Sequence, residues 1–336
     1  MKPKSVSEIL SETKVVLRLD LDLPISDNTI LDNSRLKKSL STIALLLEKK
    51  CKIVIIGHRG RPEGIDESQS LRPVYLELMS LIEPNGEHLI NSVFIPEINQ
   101  DQIDQSLAIN QIVFLENLRF WPGEEANNSE FLTPLVNICQ AYVCDAFAVA
   151  HRAHASMTLW KRLPGFYGLS FMDEYSHLEA LINPARPLTL VLGGAKEDKI
   201  KHLDKLIPLC DQILIGGKLP QLLTLSDPKV IPATLIPDGF DIDEAAISKF
   251  TGIINNSKTI IWAGAMGYYE KPEYQNGTEK IAAAIAAASA YKVIAGGDTG
   301  ASVVKLGIKD KFDFICSGGG VLLEFLVKHN LPAWSE

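Results

Sequence analysis

PLTLVLGG (187–194) is the stretch of sequence that decides the fold. It is an apolar run that ends in two glycines, and the pattern recurs at DQILIGG (211–217), SKTIIWAG (257–264), YKVIAGG (291–297) and DFICSGGG (313–320). Solid apolar runs are typical of parallel strands that are covered on both faces. Glycine at a strand end lets the backbone turn sharply and approach a ligand closely. The second half is therefore predicted to be a parallel sheet whose ligand lies at the carboxyl ends of its strands.

The first half shows the same alternation of strands and helices. Its predicted strands are KVVLRLD (14–20), CKIVIIG (51–57), QIVFLEN (111–117) and AYVCD (141–145), with helices near 33–50, 71–82 and 128–140. Strand, helix and strand in this rhythm indicate parallel βαβ units. We predict an α/β protein with two Rossmann-like, doubly wound parallel-sheet domains joined by a helix or hinge.

The rhythm breaks at LPGFYGLS (163–170), so the domain boundary is predicted there. Residues 1–170 form the first predicted domain, 171–184 a connecting helix and 185–336 the second domain. The stretch 218–240 contains four prolines and has weak periodicity, which favours a loop with at most one short strand.

Composition excludes several classes of protein. The chain has 336 residues and a net charge of −8, which excludes a generally basic nucleic-acid binder. No run approaches the roughly 18 apolar residues of a transmembrane helix. The five cysteines have no metal-type spacing and lie mostly in apolar runs, which favours reduced core thiols in a cytoplasmic protein. A redox pair of Cys139 and Cys144 is the weaker alternative.

Basic side chains follow the predicted strands of the first half. Strand ends converge at one edge of a parallel sheet, and arginine binds phosphate or carboxylate through a planar fork. We expect a small, highly anionic ligand there; separate surface arginines that pair with acids are the alternative. A metal pair His151-x-x-His154 lacks a third ligand and is not favoured. The residues are Arg35, His58, Arg61, Arg119, His151 and Arg152.

Glycine turns of the second half carry residues suited to a nucleotide. GGAKEDKI (193–200) places Lys196 and Lys199 where a glycine turn enters a predicted helix, and helix N-termini attract anions. AGGDTGAS (295–302) adds Asp298, an oxygen ligand suited to Mg²⁺, and Thr299, a hydroxyl group. Capping of the helix that follows would by itself explain the presence of these two residues. SGGG (317–320) offers backbone N–H groups. Together the two halves indicate phosphoryl transfer, which depends on positioning and charge neutralisation.

Eight motifs resemble those of phosphoglycerate kinases, in the same order over nearly the whole chain. They are RLDLDLP (18–24), GHRGRPEG (57–64), ENLRFWPGEE (116–125), DAFAVAHRAHAS (145–156), LGGAKEDKI (192–200), WAGAMGYYE (262–270), GGDTGAS (296–302) and SGGGVLLEFL (317–326). The resemblance implies reversible phosphoryl transfer between 1,3-bisphosphoglycerate with ADP and 3-phosphoglycerate with ATP, with Mg²⁺. It implies a phosphoglycerate-binding first domain and a nucleotide-binding second domain, whose C-terminal segment returns toward the first.

The resemblance also implies roles for individual residues. Phosphoglycerate would be held by Asp20, Asp22, Arg35, His58, Arg61, Arg119, His151 and Arg152. The catalytic groups would be Arg35, Lys196, Lys199, Gly318 and Gly319. ATP or ADP would be bound by Gly193, Gly194, Lys199, Gly216, Gly217, Glu270, Gly296, Gly297, Asp298 and Thr299, with Asp298 as the magnesium ligand.

Departures from the family pattern concentrate in the nucleotide domain. The two lysines are three residues apart instead of four, which on a helix would rotate one of them by about 100°. Lys218 stands for a third glycine, and Ala263 and Ala265 for asparagine and proline; roughly fifty residues are expected to be missing between Gly217 and Asp241. In the first half, Asp22 replaces asparagine and adds a negative charge, and Ala148 and Val149 replace glycine and threonine.

Three functions remain open from the sequence. The first is a compact, divergent phosphoglycerate kinase, expected to be a monomer that binds neither nucleic acid nor membrane. The second is a catalytically weak sensor of phosphoglycerate or a related sugar phosphate, with a vestigial nucleotide site. The third is a kinase for a different phosphorylated acid, with Asp22 altering the choice of acceptor.

Overall fold

The structure is a computed structural model that describes residues 4–27, 29–83, 90–201 and 203–333, without the side chains of Asp198 and Asp298. It divides into two compact units. The first contains the chain up to Tyr175 and the residues from Asn330 onward, and the second is Ser176–His329. The division between Tyr175 and Ser176 lies inside a helix and within the segment 171–184 that was predicted to connect the domains.

The first unit is built on a six-stranded parallel sheet. Its strands are β1 (Lys14–Leu19), β4 (Lys52–Ile56), β5 (Ser92–Ile95), β6 (Ile112–Leu115), β7 (Ala141–Asp145) and β8 (Gly165–Tyr167), and β2 (Ile25–Ser26) and β3 (Thr29–Ile30) form a separate hairpin. The order in the sheet is β5-β6-β4-β1-β7-β8. The helices are α1 (Ser34–Glu48), α2 (Arg72–Ile82), α3 (Gln100–Ile109), α4 (Thr133–Ile138) and α5 (Leu169–Glu179).

The second unit has a six-stranded parallel sheet of order β11-β10-β9-β12-β13-β14. Its strands are β9 (Leu188–Leu192), β10 (Gln212–Ile215), β11 (Val230–Pro232), β12 (Thr259–Ala263), β13 (Tyr291–Ala295) and β14 (Phe314–Cys316). Its helices are α6 (Leu203–Leu206), α7 (Glu244–Asn255), α8 (Asn276–Ala287), α9 (Gly297–Lys305) and α10 (Gly319–Lys328). Numbered within the unit, the strand order is 3-2-1-4-5-6, the order of dinucleotide-binding folds. The predicted fold class is confirmed.

The central strands of both sheets are buried. Residues 15–19 and 53–56 of the first sheet and 188–192 and 259–263 of the second are buried throughout. All five cysteines are buried and unbridged. Among the described helices, none is long and apolar enough to cross a bilayer.

The residues after α10 belong to the first unit. The Ala333 N–H donates to Ala150 O at 3.1 Å, and the Tyr167 hydroxyl donates to Ala333 O at 3.2 Å. The indole of Trp160 donates to Pro332 O at 3.1 Å, so this tryptophan anchors the C-terminal segment.

Candidate functional site

Four strands of the first unit deliver the predicted phosphoglycerate residues to one edge of the sheet. Asp20 follows β1, His58 follows β4, Arg119 follows β6, and Arg152 follows β7. These four strands are consecutive in the sheet, so their carboxyl ends lie side by side. The order of the sheet reverses between β1 and β7, which is where open α/β sheets bind their ligands.

A chain of hydrogen bonds joins five of the residues at this edge. Arg35 pairs with the Asp20 carboxylate at 3.1 Å and donates to Asp22 O at 2.9 Å. The Asp22 carboxylate accepts from the Gly60 N–H at 2.9 Å, and Arg119 donates to Gly60 O. Arg35 and Arg119 are thus fixed through one loop, and the extra negative charge of Asp22 is held by a backbone donor.

His58 is a buried, neutral histidine within a cluster of arginines. It is 1% exposed, and the Arg18 guanidinium contacts its Nδ1. Burial, together with the positive charges of Arg18 and Arg119, holds the pKa of His58 well below its usual range. Its Nε2 has no hydrogen-bond partner among the described residues. The imidazole therefore adds a polar atom to the edge without a charge.

The buried network behind His58 was missed by the sequence analysis. Arg18 is fully buried, and its Nε donates to the Ser156 hydroxyl at 2.9 Å. Ser156 donates in turn to the fully buried Glu124 carboxylate at 2.6 Å, which also accepts from the Ser156 N–H at 2.9 Å. A buried charge is costly unless it is hydrogen-bonded and paired. The available signal was an arginine near the end of a mostly apolar strand.

The remaining predicted residues of this unit differ in exposure. Arg61 is exposed, whereas His151 and Arg152 are half-buried. Arg152 is close enough to His58, Arg119 and His154 to act on the pKa of each. Burial and these arginines lower the pKa of His154 to about 3, although Glu124 Oε1 lies 3.8 Å from its Nδ1.

Asn117 fixes the loops that carry these basic side chains. Its amide donates to Arg59 O at 2.8 Å and to Gln69 O at 2.9 Å. Its carbonyl accepts from the N–H groups of Arg59 at 3.2 Å and Arg119 at 3.1 Å. Asn117 is fully buried, so every one of these bonds replaces a lost contact with water. The sequence analysis did not identify this residue.

The first unit also contains a cavity of about 1240 Å³, which is distinct from the arginine edge. None of the predicted phosphoglycerate residues lines it. Its charged lining consists of Arg72 and four glutamates, at positions 67, 77, 97 and 116. A lining with four carboxylates repels phosphate, so this cavity does not compete with the arginine edge as the predicted anion site.

In the second unit, glycine turns meet where the strand order reverses, between β9 and β12. A Cβ on Gly217 would lie 2.5 Å from Gly194 N, and one on Gly264 would lie 2.2 Å from Gly193 O. Gly194, Gly217 and Gly264 all have positive φ angles. Only glycine allows this approach, so the backbone itself forms the floor of the site.

Lys199 reaches this floor, whereas Lys196 does not. The Lys199 ammonium donates to Gly193 O at 2.8 Å and to Ala263 O at 3.1 Å. Lys196 is exposed and precedes a 3-10 turn at Glu197–Lys199. The expectation that an α-helix rotates one lysine by about 100° is therefore wrong, because the α-helix begins only at Leu203.

Two helix N-termini of the second unit lie next to each other. The first residues of α9 follow Gly296, and those of α10 follow Gly318; neither helix has a side-chain cap. A Cβ on Gly296 would lie 3.4 Å from Gly319 N, so the two ends are neighbours. Uncapped N–H groups and helix dipoles attract anions. The hydroxyl of Thr299 accepts a hydrogen bond from Gly264 N at 2.8 Å, so it links α9 to the loop after β12.

Other predicted nucleotide residues are distributed around this centre. Gly216 packs against Met266, Gly297 faces open space, and Glu270 is exposed in the loop after β12. The backbone of Asp298 lies in the first turn of α9, but its side chain is outside the described part of the structure. The magnesium assignment to Asp298 thus stays a prediction. The described residues contain no cluster of three or more side chains suited to a metal.

Comparison with known proteins agrees with these features. The family model "Phosphoglycerate kinase" matches residues 6–235 and 224–329. Phosphoglycerate kinase of Dictyoglomus turgidum is 33% identical over 380 positions, which cover 97% of this chain and 95% of the relative. That of Thermomicrobium roseum is 30% identical over 96% of each chain. The structure of phosphoglycerate kinase from Coxiella burnetii superposes with a TM-score of 0.79 at 26% identity, covering 98% of this chain and 97% of that one.

The alignments also locate the predicted shortening. The 380 aligned positions exceed the 336 residues of the chain, so at least 44 of them are gaps here. The family match breaks into two segments that overlap at 224–235, inside the region predicted to be short. The extent of the family match, the sequence identity to the relatives and the order of the motifs together show that the chain belongs to the phosphoglycerate kinase family.

Proposed function

We propose that this chain catalyses the reversible transfer of a phosphoryl group between 1,3-bisphosphoglycerate with ADP and 3-phosphoglycerate with ATP. The observation that carries the proposal is the pairing of two anion sites in one chain. One is the arginine edge of the first unit, and the other is the glycine floor of the second, with its lysine and helix N-termini. The family match through both units supports the same reaction.

In the first unit, the arginines bind and orient phosphoglycerate. Arg35 and Arg119 are braced by the Asp20–Asp22–Gly60 chain, so their guanidinium groups need little reorganisation on binding. Arg61, His151 and Arg152 add to the binding of the anion. The neutral His58 offers a hydrogen bond without a proton that would titrate in the physiological range.

In the second unit, backbone donors and lysines carry the nucleotide and the transferring group. The uncapped N–H groups at Gly297 and Gly319 would hold phosphate oxygens. Lys199 supplies positive charge at the ends of β9 and β12, with Lys196 as the more exposed second ammonium. The acceptor carboxylate is ionised near pH 7, so the reaction requires no general base.

Magnesium fits this arrangement as a companion of the nucleotide. Mg²⁺ is commonly bound by one or two carboxylates together with substrate phosphates. Asp298, in the first turn of α9, would supply the carboxylate. When bound, the ion would neutralise charge on the phosphates. We further propose a cytoplasmic monomer that acts on small molecules.

The alternative functions receive less support. A sensor with a vestigial nucleotide site is not favoured, because the family match continues through the second unit and glycines 193, 194, 217 and 264 still pack closely against one another. A kinase for another phosphorylated acid depends on Asp22, whose carboxylate is bonded to the Gly60 N–H. Its position in that bond gives it a structural role in bracing the loop.

A coupled assay with Mg-ATP and 3-phosphoglycerate tests the proposal. We expect turnover by the wild-type chain and a loss of at least ~10²-fold in kcat for Lys199→Ala, as for a group that stabilises the transition state. Lys249→Ala removes an exposed lysine of α7 and serves as the matched control. Saturable binding of 3-phosphoglycerate without turnover would favour the sensor, and turnover only with another acid would favour the third function.

A further inference from the structure

Four buried polar side chains are joined by hydrogen bonds behind the arginine edge. Glu124 Oε1 accepts from the Ser156 hydroxyl at 2.6 Å, and Ser156 Oγ accepts from Arg18 Nε at 2.9 Å. Arg18 Nη2 lies 2.5 Å from His58 Nδ1. The first three side chains are fully buried, and His58 is 1% exposed. We name these four residues the buried network.

The chemistry of the groups in the buried network fixes the direction of each hydrogen bond. A carboxylate has no proton to donate, so the Ser156 hydroxyl donates to Glu124 and presents its lone pairs to Arg18. A guanidinium has donors only, so Arg18 donates to Ser156 Oγ and to His58 Nδ1. His58 Nδ1 therefore carries no proton. The neutral imidazole must then hold its one ring proton on Nε2.

Further contacts fix the positions of Arg18 and of the His58 ring. Arg18 Nη1 donates to Leu19 O, so all three nitrogens of the guanidinium have partners. The ring of His154 packs edge-on against that of His58, with centroids 6.1 Å apart and an interplanar angle of 77°. Burial and nearby arginines keep His154 neutral as well, because they lower its pKa to about 3. The imidazole of His58 thus lies between a donor and an uncharged ring.

The second ring nitrogen of His58 is left as a buried donor. Nε2 has no hydrogen-bond partner among the described residues. Buried polar groups without a partner are rare in folded proteins, because they have lost water and gained no new bond. An acceptor oxygen of a bound anion satisfies an N–H at this point, whereas a ligand that offers a donor there leaves two donors facing each other.

We propose that Glu124 and Ser156 are positioning residues of the anion site in the first unit: acting through Arg18, they keep the ring proton of His58 on Nε2. This inference rests on the part of the proposed function that binds phosphoglycerate at the arginine edge. Both residues are fully buried and act without touching the substrate. A donor that is already oriented loses little freedom on binding. Loss of the Ser156 hydroxyl releases Arg18, and the ring proton of His58 is then shared between both nitrogens.

Nuclear magnetic resonance of the full, ¹⁵N-labelled chain reads the tautomer directly, because protonated and unprotonated ring nitrogens give separate ¹⁵N signals. The variant His58→Gln identifies the signals of His58 among the seven histidines. In the wild type, Nε2 should be protonated and Nδ1 unprotonated at pH 7. In Ser156→Ala, the two signals should move toward each other as both tautomers become populated. Ser80→Ala removes an exposed hydroxyl of α2 and serves as the matched control.

Calorimetric titration of the same proteins with 3-phosphoglycerate gives the second readout. Ser156→Ala should weaken the binding of 3-phosphoglycerate by about five-fold, as for the loss of one well-placed hydrogen bond. Binding of Mg-ADP should stay within about two-fold, because independent sites do not couple. Glu124→Gln keeps the size of the side chain but replaces one acceptor oxygen by a donor. It should produce the same two changes, and it replaces Ser156→Ala if that variant does not fold.

Each contrary result has a distinct meaning. A ring proton on Nδ1 of His58 in the wild type would overturn the inference. Unchanged His58 signals in both Ser156→Ala and Glu124→Gln would overturn it too, and so would unchanged affinity for 3-phosphoglycerate. Binding of 3-phosphoglycerate without turnover would remove the proposed reaction and leave the inference standing, because neither readout needs turnover. If the wild-type chain does not bind 3-phosphoglycerate, the inference and the proposed function both fail.

Discussion

Asp145, at the end of β7, gives the first unit a pH dependence that can be worked out from its contacts. Its carboxyl group is buried and accepts from the Thr42 hydroxyl at 2.6 Å and from Phe171 N, in the first turn of α5, at 2.7 Å. Gly168 packs directly against this carboxyl group, since a Cβ on Gly168 would lie 2.2 Å from the carboxyl carbon of Asp145. Burial raises the pKa of Asp145 to about 7 against the opposing effect of these bonds, and Glu174 adds to the rise.

The sign and size of the effect follow from this shift. Between its ordinary value of 3.8 and about 7, the folded chain holds a proton that the unfolded chain has lost. The free energy of unfolding therefore decreases with rising pH, by about 1.4 kcal/mol per unit. From pH 5 to pH 7 the loss due to Asp145 is about 2 kcal/mol, a large part of the usual stability of a domain.

Urea unfolding of the wild type and Asp145→Asn, at pH 5 and pH 7, measures this contribution. Asparagine can still accept from Phe171 and donate to Thr42, so the variant should keep the fold. The free energy of unfolding of the wild type, relative to the variant, should fall by about 2 kcal/mol between the two pH values. Subtracting the variant removes every pH effect that the two proteins share. Parallel behaviour of the two proteins would refute the assignment.

Two further predictions concern the arginine edge. Asn117→Ala removes the four hydrogen bonds that the Asn117 side chain makes to the surrounding loops. It should lower the free energy of unfolding, measured by urea titration, by about 2–4 kcal/mol. A change under about 0.5 kcal/mol would contradict the role of Asn117 in fixing these loops. The pKa of His58 is lowered in the folded chain, so the contribution of His58 to the free energy of unfolding decreases as pH falls below 6.5. The free energy of unfolding of the wild type, relative to His58→Gln, should therefore decrease between pH 7 and pH 5 in urea titrations, and a constant difference would refute the assignment.

The central strands were predictable because their signal is local and strong. Runs such as KVVLRLD and SKTIIWAG became β1 and β12, at the middle of each sheet. The edge strands carry weaker signals. β8 lies within LPGFYGLS, which was taken as a break because it contains proline and glycine. Edge strands pair on one side only, so a short run suffices to form them.

The start of α5 could not be predicted from neighbouring residues. The predicted connecting helix spans 171–184, whereas α5 is Leu169–Glu179. Its first turn is fixed by Thr42, which accepts from Leu169 N at 2.8 Å, and by Asp145. These contacts join residues 127 and 26 positions apart. The observed division at Tyr175 and Ser176 lies inside this helix.

In the candidate site too, the residues with a local sequence signal were predictable and those joined by long-range contacts were not. Arginines and histidines after strands were found because the parallel sheet collects strand ends at one edge. Their support was missed, because Arg18, Ser156 and Glu124 are joined across 138 and 32 positions and show no periodicity. The spacing of Lys196 and Lys199 was interpreted on an α-helix that does not form. Only the folded chain shows that, of these two lysines, it is Lys199 that reaches the glycine floor.

The most direct test of the proposed reaction traps its acyl phosphate product with hydroxylamine. The wild-type chain is incubated with 3-phosphoglycerate, Mg-ATP and hydroxylamine, which converts an acyl phosphate into a stable hydroxamate. The account predicts hydroxamate and ADP in equal amounts, dependent on 3-phosphoglycerate. Binding of 3-phosphoglycerate without hydroxamate, or ADP release that does not depend on the acid, would contradict it.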